Sequence, residues 1–234
     1  IGKKCLDITD EIPFVIPETW QWVRIRNVFQ LNPKNEAEDE KLVAFIPMEK
    51  ISAGYKSDFT FDTTKWGTIK KGFTHFANGD VAFAKITPCF QNRKSAIFHD
   101  LPNGIGAGTT ELKVLRPYGN TIDRWYLLYF LESPYFIDEA TFKGTANQQR
   151  IVVGYLEDKL FPLPTQKEQQ RIVAQIEKLF EQLHYLFYLL NYYSLLLQWW
   201  NKNNKPIKQF FVEVWNCCTF LRVAQCLFIE LYKS

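Results

Sequence analysis

Apolar residues in the last third of the chain recur at alternating steps of four and three positions. This spacing is typical of a helix that packs along a second helix, although flanking apolar residues widen the stripe enough for an ordinary bundle or core helix. Thr165 and Glu168 precede the run as a capping box, in which the hydroxyl accepts an N–H of the first turn and the glutamate reaches back to the threonine N–H. The pattern predicts a helix that starts at Thr165 and pairs through Ile172, Ile176, Leu179, Leu183, Leu186 and Leu190.

Short apolar segments, separated by turn residues, precede this helix. Residues 42–47 predict a buried strand ended by proline, and residues 79–90 predict a turn followed by a strand. Residues 122–131 have helical spacing, which Pro134 closes. Strands and helices therefore mix within one domain.

The chain divides into three parts on these patterns. We expect an α+β fold class, with a mixed α/β domain over residues 12–162 and a long coiled-coil-type helix over residues 163–200. Residues 201–234 form an atypical, aromatic-rich tail in which a three-four spacing resumes. This tail is either a second helix or a segment that is not the natural continuation of the first.

Composition and charge narrow the class of protein. Hydrophobic residues make up 47% of the 234 residues and charged residues 23%, which is a globular composition and excludes a disordered chain. The formal net charge is only +3, but eight lysines and arginines face four aspartates between residues 50 and 100. This local excess of basic residues favours a polyanionic partner.

The cysteines, one long apolar segment and the start of the sequence bear on the cellular compartment of the protein. Five cysteines (Cys5, Cys89, Cys217, Cys218 and Cys226) show neither CxxC nor zinc-finger spacing, so we expect reduced thiols, no metal site and a cytoplasmic protein. Residues 183–200 approach the ~20 residues that span a bilayer, but four polar residues interrupt them and we expect no membrane span. The chain shows no secretory signal, and it begins at Ile1, which favours a fragment or a processed chain.

The basic excess suggests a DNA-binding surface. Its lysines and arginines are interleaved with aromatic residues, and such cations bind phosphates while neighbouring polar side chains reach base edges. For any single one of these residues, a plain solvated surface is the better explanation. The predicted DNA-binding residues are Lys56, Lys65, Lys70, Lys71, Lys85, Gln91, Asn92, Arg93, Lys94, Lys143 and Arg150.

Catalytic motifs are scarce. The sequence contains neither a Walker loop nor the motifs of a base methyltransferase, and it predicts no cofactor. One arrangement resembles a nuclease: Asp100, Glu111 and Lys113 could hold Mg²⁺ and assist a water, although a strand with a charged solvent face explains the same pattern. The glycines of residues 103–108 could cradle a phosphate, but no GKS or GKT follows them.

Four segments together resemble the DNA-specificity (S) subunit of type I restriction-modification systems. They are the Trp-x-Trp-Val run of residues 20–23, the Gly-Asp to Ile-Thr-Pro-Cys-Phe run of residues 79–90, the Gly-Thr to Gln-Arg-Ile run of residues 144–151, and the Leu-Pro to Glu-Gln-x-Arg-Ile run of residues 163–172. Thr109 replaces the serine that the family more often has before Thr-Glu. The resemblance covers roughly residues 12–183.

This resemblance implies a non-catalytic subunit with one target recognition domain, which reads one half of a bipartite site in double-stranded DNA. It further implies that the helix pairs with a second specificity half or copy, and that methyltransferase subunits dock on it and bring the restriction subunit. Two alternatives remain from the residues themselves: a free-standing Mg²⁺ nuclease that uses Asp100, Glu111 and Lys113, and a non-catalytic coiled-coil adaptor.

Overall fold

A computed structural model of the protein describes residues 8–55, 57–145 and 148–203. The strands of this part of the chain are β1 (Gln21–Arg24), β2 (Phe29–Leu31), β3 (Leu42–Ile46), β4 (Asp62–Lys65), β5 (Thr74–Ala77), β6 (Val81–Ala84), β7 (Ser95–Ile97), β8 (Ile105–Gly108), β9 (Leu112–Pro117), β10 (Phe142–Thr145), β11 (Gln148–Ile151) and β12 (Leu160–Leu163). Its helices are α1 (Ile25–Val28), α2 (Trp66–Ile69), α3 (Arg124–Glu132), α4 (Pro134–Ile137), α5 (Val153–Asp158) and α6 (Gln166–Asn203). The predicted α+β class, with a long helix after the mixed domain, is confirmed.

Two four-stranded sheets form the centre of the domain. Sheet I has the order β2-β9-β6-β7 and is antiparallel throughout. Sheet II has the order β4-β3-β8-β5, in which β3 and β8 run parallel. Two smaller pairings, β1 with β12 and β10 with β11, complete the strands.

Strand β6 shows why the two sheets pack. Side chains alternate along a strand, so Ala82 faces one side of sheet I while Val81 and Phe83 face the other. Ala82 belongs to a buried cluster with residues of sheet II such as Ile46 and Phe76. The small alanine side chain leaves room for these larger partners, and the two sheets close on a shared core.

Sheet I is covered on its other face by helices. Val81 and Phe83 belong there to a core cluster with residues of α3, α4 and α5. The Asp123 side chain caps α3 by accepting the N–H of Trp125 at 2.8 Å and of Tyr126 at 3.1 Å. The predicted helix over residues 122–131 is confirmed with a shifted start.

The glycine run of residues 103–108 is not a phosphate loop. Its last four residues form strand β8, which lies between β3 and β5 inside sheet II. A Cβ at Gly106 would lie 2.7 Å from the carbonyl oxygen of Ala44, and one at Gly108 would overlap the carbonyl of Ile46. The glycines are needed because two backbones approach closely, and the phosphate-loop alternative is wrong.

The start of α6 is built into the domain. Gln169 is fully buried: its side-chain oxygen accepts the N–H of Asp123 at 2.7 Å, and its amide donates to the carbonyls of Thr121 and Pro164 at 3.1 Å each. Val173 is buried in the core cluster, and Ile172 packs against it. The helix motif therefore anchors α6 against the N-terminus of α3.

The predicted capping box is half formed. Thr165 accepts the N–H of Glu168 through its hydroxyl at 3.4 Å, and the helix begins at the next residue, Gln166. The carboxylate of Glu168 does not reach back as predicted, because it pairs with Arg171 at 2.7 and 3.0 Å. A guanidinium three residues along the helix competes successfully for the carboxylate.

The chain divides into two compact units between Gln175 and Ile176. In the second unit, four of the predicted pairing leucines are 50 to 65% exposed: Leu179, Leu183, Leu186 and Leu190. Ile176 is partly buried.

Within the described ranges, none of the helices combines the length and the apolar character that a membrane crossing requires. Of the predicted tail, residues 204–234 lie outside the described residues, as do Cys5, Cys217, Cys218 and Cys226, whereas Cys89 is a free thiol.

Candidate nucleic-acid interface

A compact turn, residues 85–94, follows strand β6 at the end of sheet I. Phe90 donates its N–H to the carbonyl of Ile86 at 2.9 Å, and Lys94 donates its N–H to that of Cys89 at 3.0 Å. The Phe90 ring is buried and packs among other phenylalanines, which holds the turn to the core. Gln91 and Asn92 are exposed on this fixed frame.

A two-stranded ribbon, made of β10 and β11, lies beside the turn. Thr87 in the turn donates its N–H to the carbonyl of Gln149 at 2.9 Å and accepts the Gln149 N–H through its hydroxyl at 3.2 Å. Ile151 donates to the carbonyl of Lys85 at 2.9 Å. Phe142 stacks edge-on against Phe90 with 5.6 Å between ring centres. Backbone bonds and ring packing thus join the ribbon to the turn.

Arg150 on the ribbon forms a two-pronged ion pair with Glu111. Its Nε and Nη2 atoms donate to the carboxylate at 2.7 to 3.0 Å. Hydrogen bonds from Arg150 lower the pKa of Glu111, and burial opposes them. Burial and the neighbouring Lys85 lower the pKa of Lys113. Glu111 is therefore an ionised acceptor already used by Arg150.

This arrangement gives the nuclease alternative no geometric support. Asp100 is 94% exposed and pairs with His99 at 2.9 Å, while Glu111 pairs with Arg150. Three or more His, Cys, Asp or Glu side chains do not come together as metal ligands anywhere in residues 8–55, 57–145 or 148–203. Lys113 lies on strand β9 and Glu111 directly precedes it, so the charged face of a strand explains the Glu-x-Lys pattern.

Arg93 and Lys94 carry their charge at the end of the turn. Arg93 donates through Nε to the carbonyl of Glu132 at 3.0 Å and lies over the ring of Tyr55, with its guanidinium carbon 5.2 Å from the ring centre. Lys94 donates to the carbonyl of Met48 at 3.0 Å. Neither cation meets a carboxylate in these bonds, so both keep their positive charge available to a polyanion.

The remaining predicted lysines lie in a different part of the domain. Lys65 ends β4 and pairs with Glu40 at 2.5 Å, and Lys70 follows α2 and pairs with Asp39 at 2.7 Å. Lys71 is exposed beside them. The acidic loop before β3 thus offsets much of the positive charge there.

Lys56 lies outside the described residues. The structure brings together Lys85, Gln91, Asn92, Arg93, Lys94, Lys143 and Arg150 on the turn and ribbon.

Two buried carboxylates were missed by sequence reasoning. Asp80, 1% exposed, accepts Nε and Nη2 of Arg116 at 2.7 and 2.8 Å and the N–H of Ala77 at 2.7 Å. The interaction with Asp80 raises the pKa of Arg116. The Gly-Asp motif that opens residues 79–90 is therefore structural, and its partner on β9 could not be identified from spacing alone.

Glu132 at the end of α3 is the second buried carboxylate. It is 1% exposed and accepts the Ser95 hydroxyl through one oxygen, while the other has no hydrogen-bond partner among the described residues. Burial raises the pKa of Glu132 to about 7, and Ser95 and Arg93 oppose this shift. Glu132 lies under the turn, where its backbone carbonyl holds Arg93.

A shallow cavity of about 440 Å³ lies apart from the turn and ribbon. Its ionisable lining comprises Asp58, Asp123, Arg124 and His99. Two carboxylates against one guanidinium do not favour a phosphate there.

Comparisons with known proteins identify relatives of this fold. A sequence profile described as "Type I restriction modification DNA specificity domain" matches residues 17–186. The EcoAI and EcoEI type I restriction enzyme specificity subunits of Escherichia coli are 44% and 42% identical over 173 residues, which are 73% of this chain and 29% of each relative. The chain therefore spans less than a third of the length of these relatives. The HsdS subunit from Thermoanaerobacter tengcongensis, at 20% identity, superposes with a TM-score of 0.62 over 76% of this chain and 46% of that chain, which shows a shared fold.

Proposed function

The chain belongs to the family of type I restriction-modification DNA specificity domains, and we propose that it reads one half of a bipartite site in double-stranded DNA. The observation that carries this proposal is the surface of the turn and ribbon. This proposal is supported by five cations on two segments that backbone hydrogen bonds join: Lys85, Arg93 and Lys94 on the turn, and Lys143 and Arg150 on the ribbon. Phosphate contacts from such cations fix a protein on the duplex, and exposed polar side chains between them can read bases.

The long helix supplies the second half of the proposal. From Leu179 onward it exposes leucines at the steps of four and three that favour a partner helix. We infer that this partner is a second specificity half or a second copy, and that the paired helices set the spacing between two half-sites. The named relatives belong to restriction enzymes, which supports docking of methyltransferase subunits and, through them, of the restriction subunit.

Catalysis then belongs to those partner subunits. The Arg150–Glu111 ion pair supports this division of labour, because it occupies the carboxylate that the nuclease alternative would need for a metal ion. A structural adaptor without DNA recognition would leave the cations of the turn and ribbon without a role.

The test is a selection from random-sequence DNA. The purified chain, together with its methyltransferase subunit, is mixed with a random DNA pool at moderate salt, and the bound fraction is sequenced. A split motif supports paired recognition domains, and a single short motif supports one domain acting alone. Absence of any enriched sequence would contradict the proposal and favour the adaptor.

A further inference from the structure

The ribbon presents one polar and one apolar face. Its register pairs Phe142 with Ile151 and Lys143 with Arg150. Phe142 and Ile151 pack on the domain core. Because successive side chains alternate between the two faces of a strand, Lys143 and Arg150 lie on the outer face.

Two further residues share that outer face. Thr145 and Gln148 form the register pair nearest the tip of the ribbon, two positions beyond Lys143 and Arg150. Both are exposed. The outer face therefore carries a hydroxyl and an amide towards the tip and two cations behind them.

The shape of the ribbon is held by its backbone. Gly144 has a φ of +137°, a region that side chains disfavour, and a Cβ there would lie 3.1 Å from the Cα of Gln149. Glu111 holds the Arg150 side chain from the domain side. The positions of Thr145 and Gln148 relative to the turn are thus set before any ligand binds.

From this arrangement we propose that the ribbon enters the major groove and that Gln148 reads an adenine. A two-stranded ribbon fits the major groove, which is about 12 Å wide. The Gln148 amide offers one donor and one acceptor, which match N7 and N6 of adenine as a pair. Lys143, behind it, contacts a phosphate, while Glu111 holds Arg150 in an ion pair. This inference rests on the proposed function.

The test compares variants of the full chain in the same random-DNA selection, followed by binding titrations. Gln148→Ala is expected to reduce discrimination at one A·T base pair by about 5- to 150-fold, the worth of one two-bond base contact. Gln30→Ala, which removes an exposed glutamine from strand β2, is the matched control and should change nothing. Gln148→Glu should shift the preference at that position towards C·G, because a carboxylate accepts from the cytosine amine.

Lys143→Ala separates phosphate contact from base reading. It should weaken binding to all sequences alike and lower the salt slope by about 1, with the motif unchanged. Lys34→Ala, at another exposed lysine, is its control and should leave the slope as it is.

A base analogue tests the atoms directly. Replacing the selected adenine by 7-deazaadenine should weaken DNA binding by the parent chain. It should not further weaken DNA binding by the Gln148→Ala variant. Unchanged discrimination by Gln148→Ala, alongside a clear motif for the parent chain, would overturn the ribbon proposal and leave the proposed function intact. Absence of a motif for the parent chain would overturn both.

Discussion

Asp80→Asn tests how much the ion pair between buried Asp80 and half-buried Arg116 stabilises the domain. The carboxylate is 1% exposed and accepts three hydrogen bonds, two from Arg116 and one from the Ala77 N–H. The amide cannot satisfy both guanidinium donors, and its NH₂ group faces a cation. Removing one partner of a fully buried pair costs about 3–5 kcal/mol. Because the Arg116 side chain is 29% exposed, we expect a loss at the lower end, about 3 kcal/mol.

That loss is a large share of the free energy of unfolding, which is about 5–15 kcal/mol for a domain. Urea denaturation of the full chain, followed by tryptophan fluorescence, measures it. With a slope of about 2 kcal/mol per molar urea, the midpoint should fall by about 1.5 M. Asp62→Asn is the control, because it breaks the Lys50 pair, whose carboxylate is 61% exposed, and should cost less than about 1 kcal/mol.

A double-mutant cycle measures the energetic coupling between Asp80 and Arg116. Arg116→Met removes the cation, so Asp80→Asn in that background should cost clearly less than in the parent chain. Equal costs in both backgrounds, or a loss below about 1 kcal/mol for Asp80→Asn alone, would show that the ion pair does not carry the stability assigned to it.

Three further predictions concern other described residues. Gln169→Ala should lower the free energy of unfolding by about 3 kcal/mol, measured by urea denaturation, since it leaves buried partners unpaired; its exposed neighbour Gln170→Ala should stay within about 0.5 kcal/mol. Burial raises the pKa of Glu132 from 4.5 to about 7, so the stability present below pH 4.5 is lost as the pH rises through about 7. Glu132→Gln should abolish this loss and stabilise the protein by about 3 kcal/mol at pH 8 in urea titrations, and an unchanged pH profile would contradict the assignment. Glu111→Gln should release Arg150 and steepen the salt dependence of non-specific DNA binding by about 1 in titrations, whereas Glu18→Gln should not.

Local signals in the sequence predicted much of the fold. The strand over residues 42–47 appears as Leu42–Ile46, and the helix over residues 122–131 appears as Arg124–Glu132. The helix after Thr165 begins where predicted. Each of these depends on neighbours in sequence: a run of apolar residues, a cap or a proline. The resemblance to the specificity-subunit family, drawn from four short segments, is confirmed as well.

Contacts between residues that are distant in sequence could not be predicted from the sequence. The glycines of residues 103–108 favour a flexible loop by themselves, and only the neighbouring strands β3 and β5 make them a buried strand. Lys65 and Lys70 are predicted DNA-binding residues like Arg93, yet Glu40 and Asp39 approach them from a distant loop. The predicted DNA-binding and helix-pairing residues otherwise stay predictions.

The division of the ribbon into an anchored and an outer face has an evolutionary consequence. Phe142, Ile151 and the backbone bonds to Thr87 attach it to the fold, whereas Thr145 and Gln148 project away from the core. A substitution at Gln148 changes little buried surface, so it incurs almost no loss of stability. Under the ribbon proposal, a lineage can therefore drift to a new recognition sequence at this one position, which lies between the Gly-Thr and Gln-Arg-Ile residues that resemble the family, while selection for folding acts on the anchoring residues.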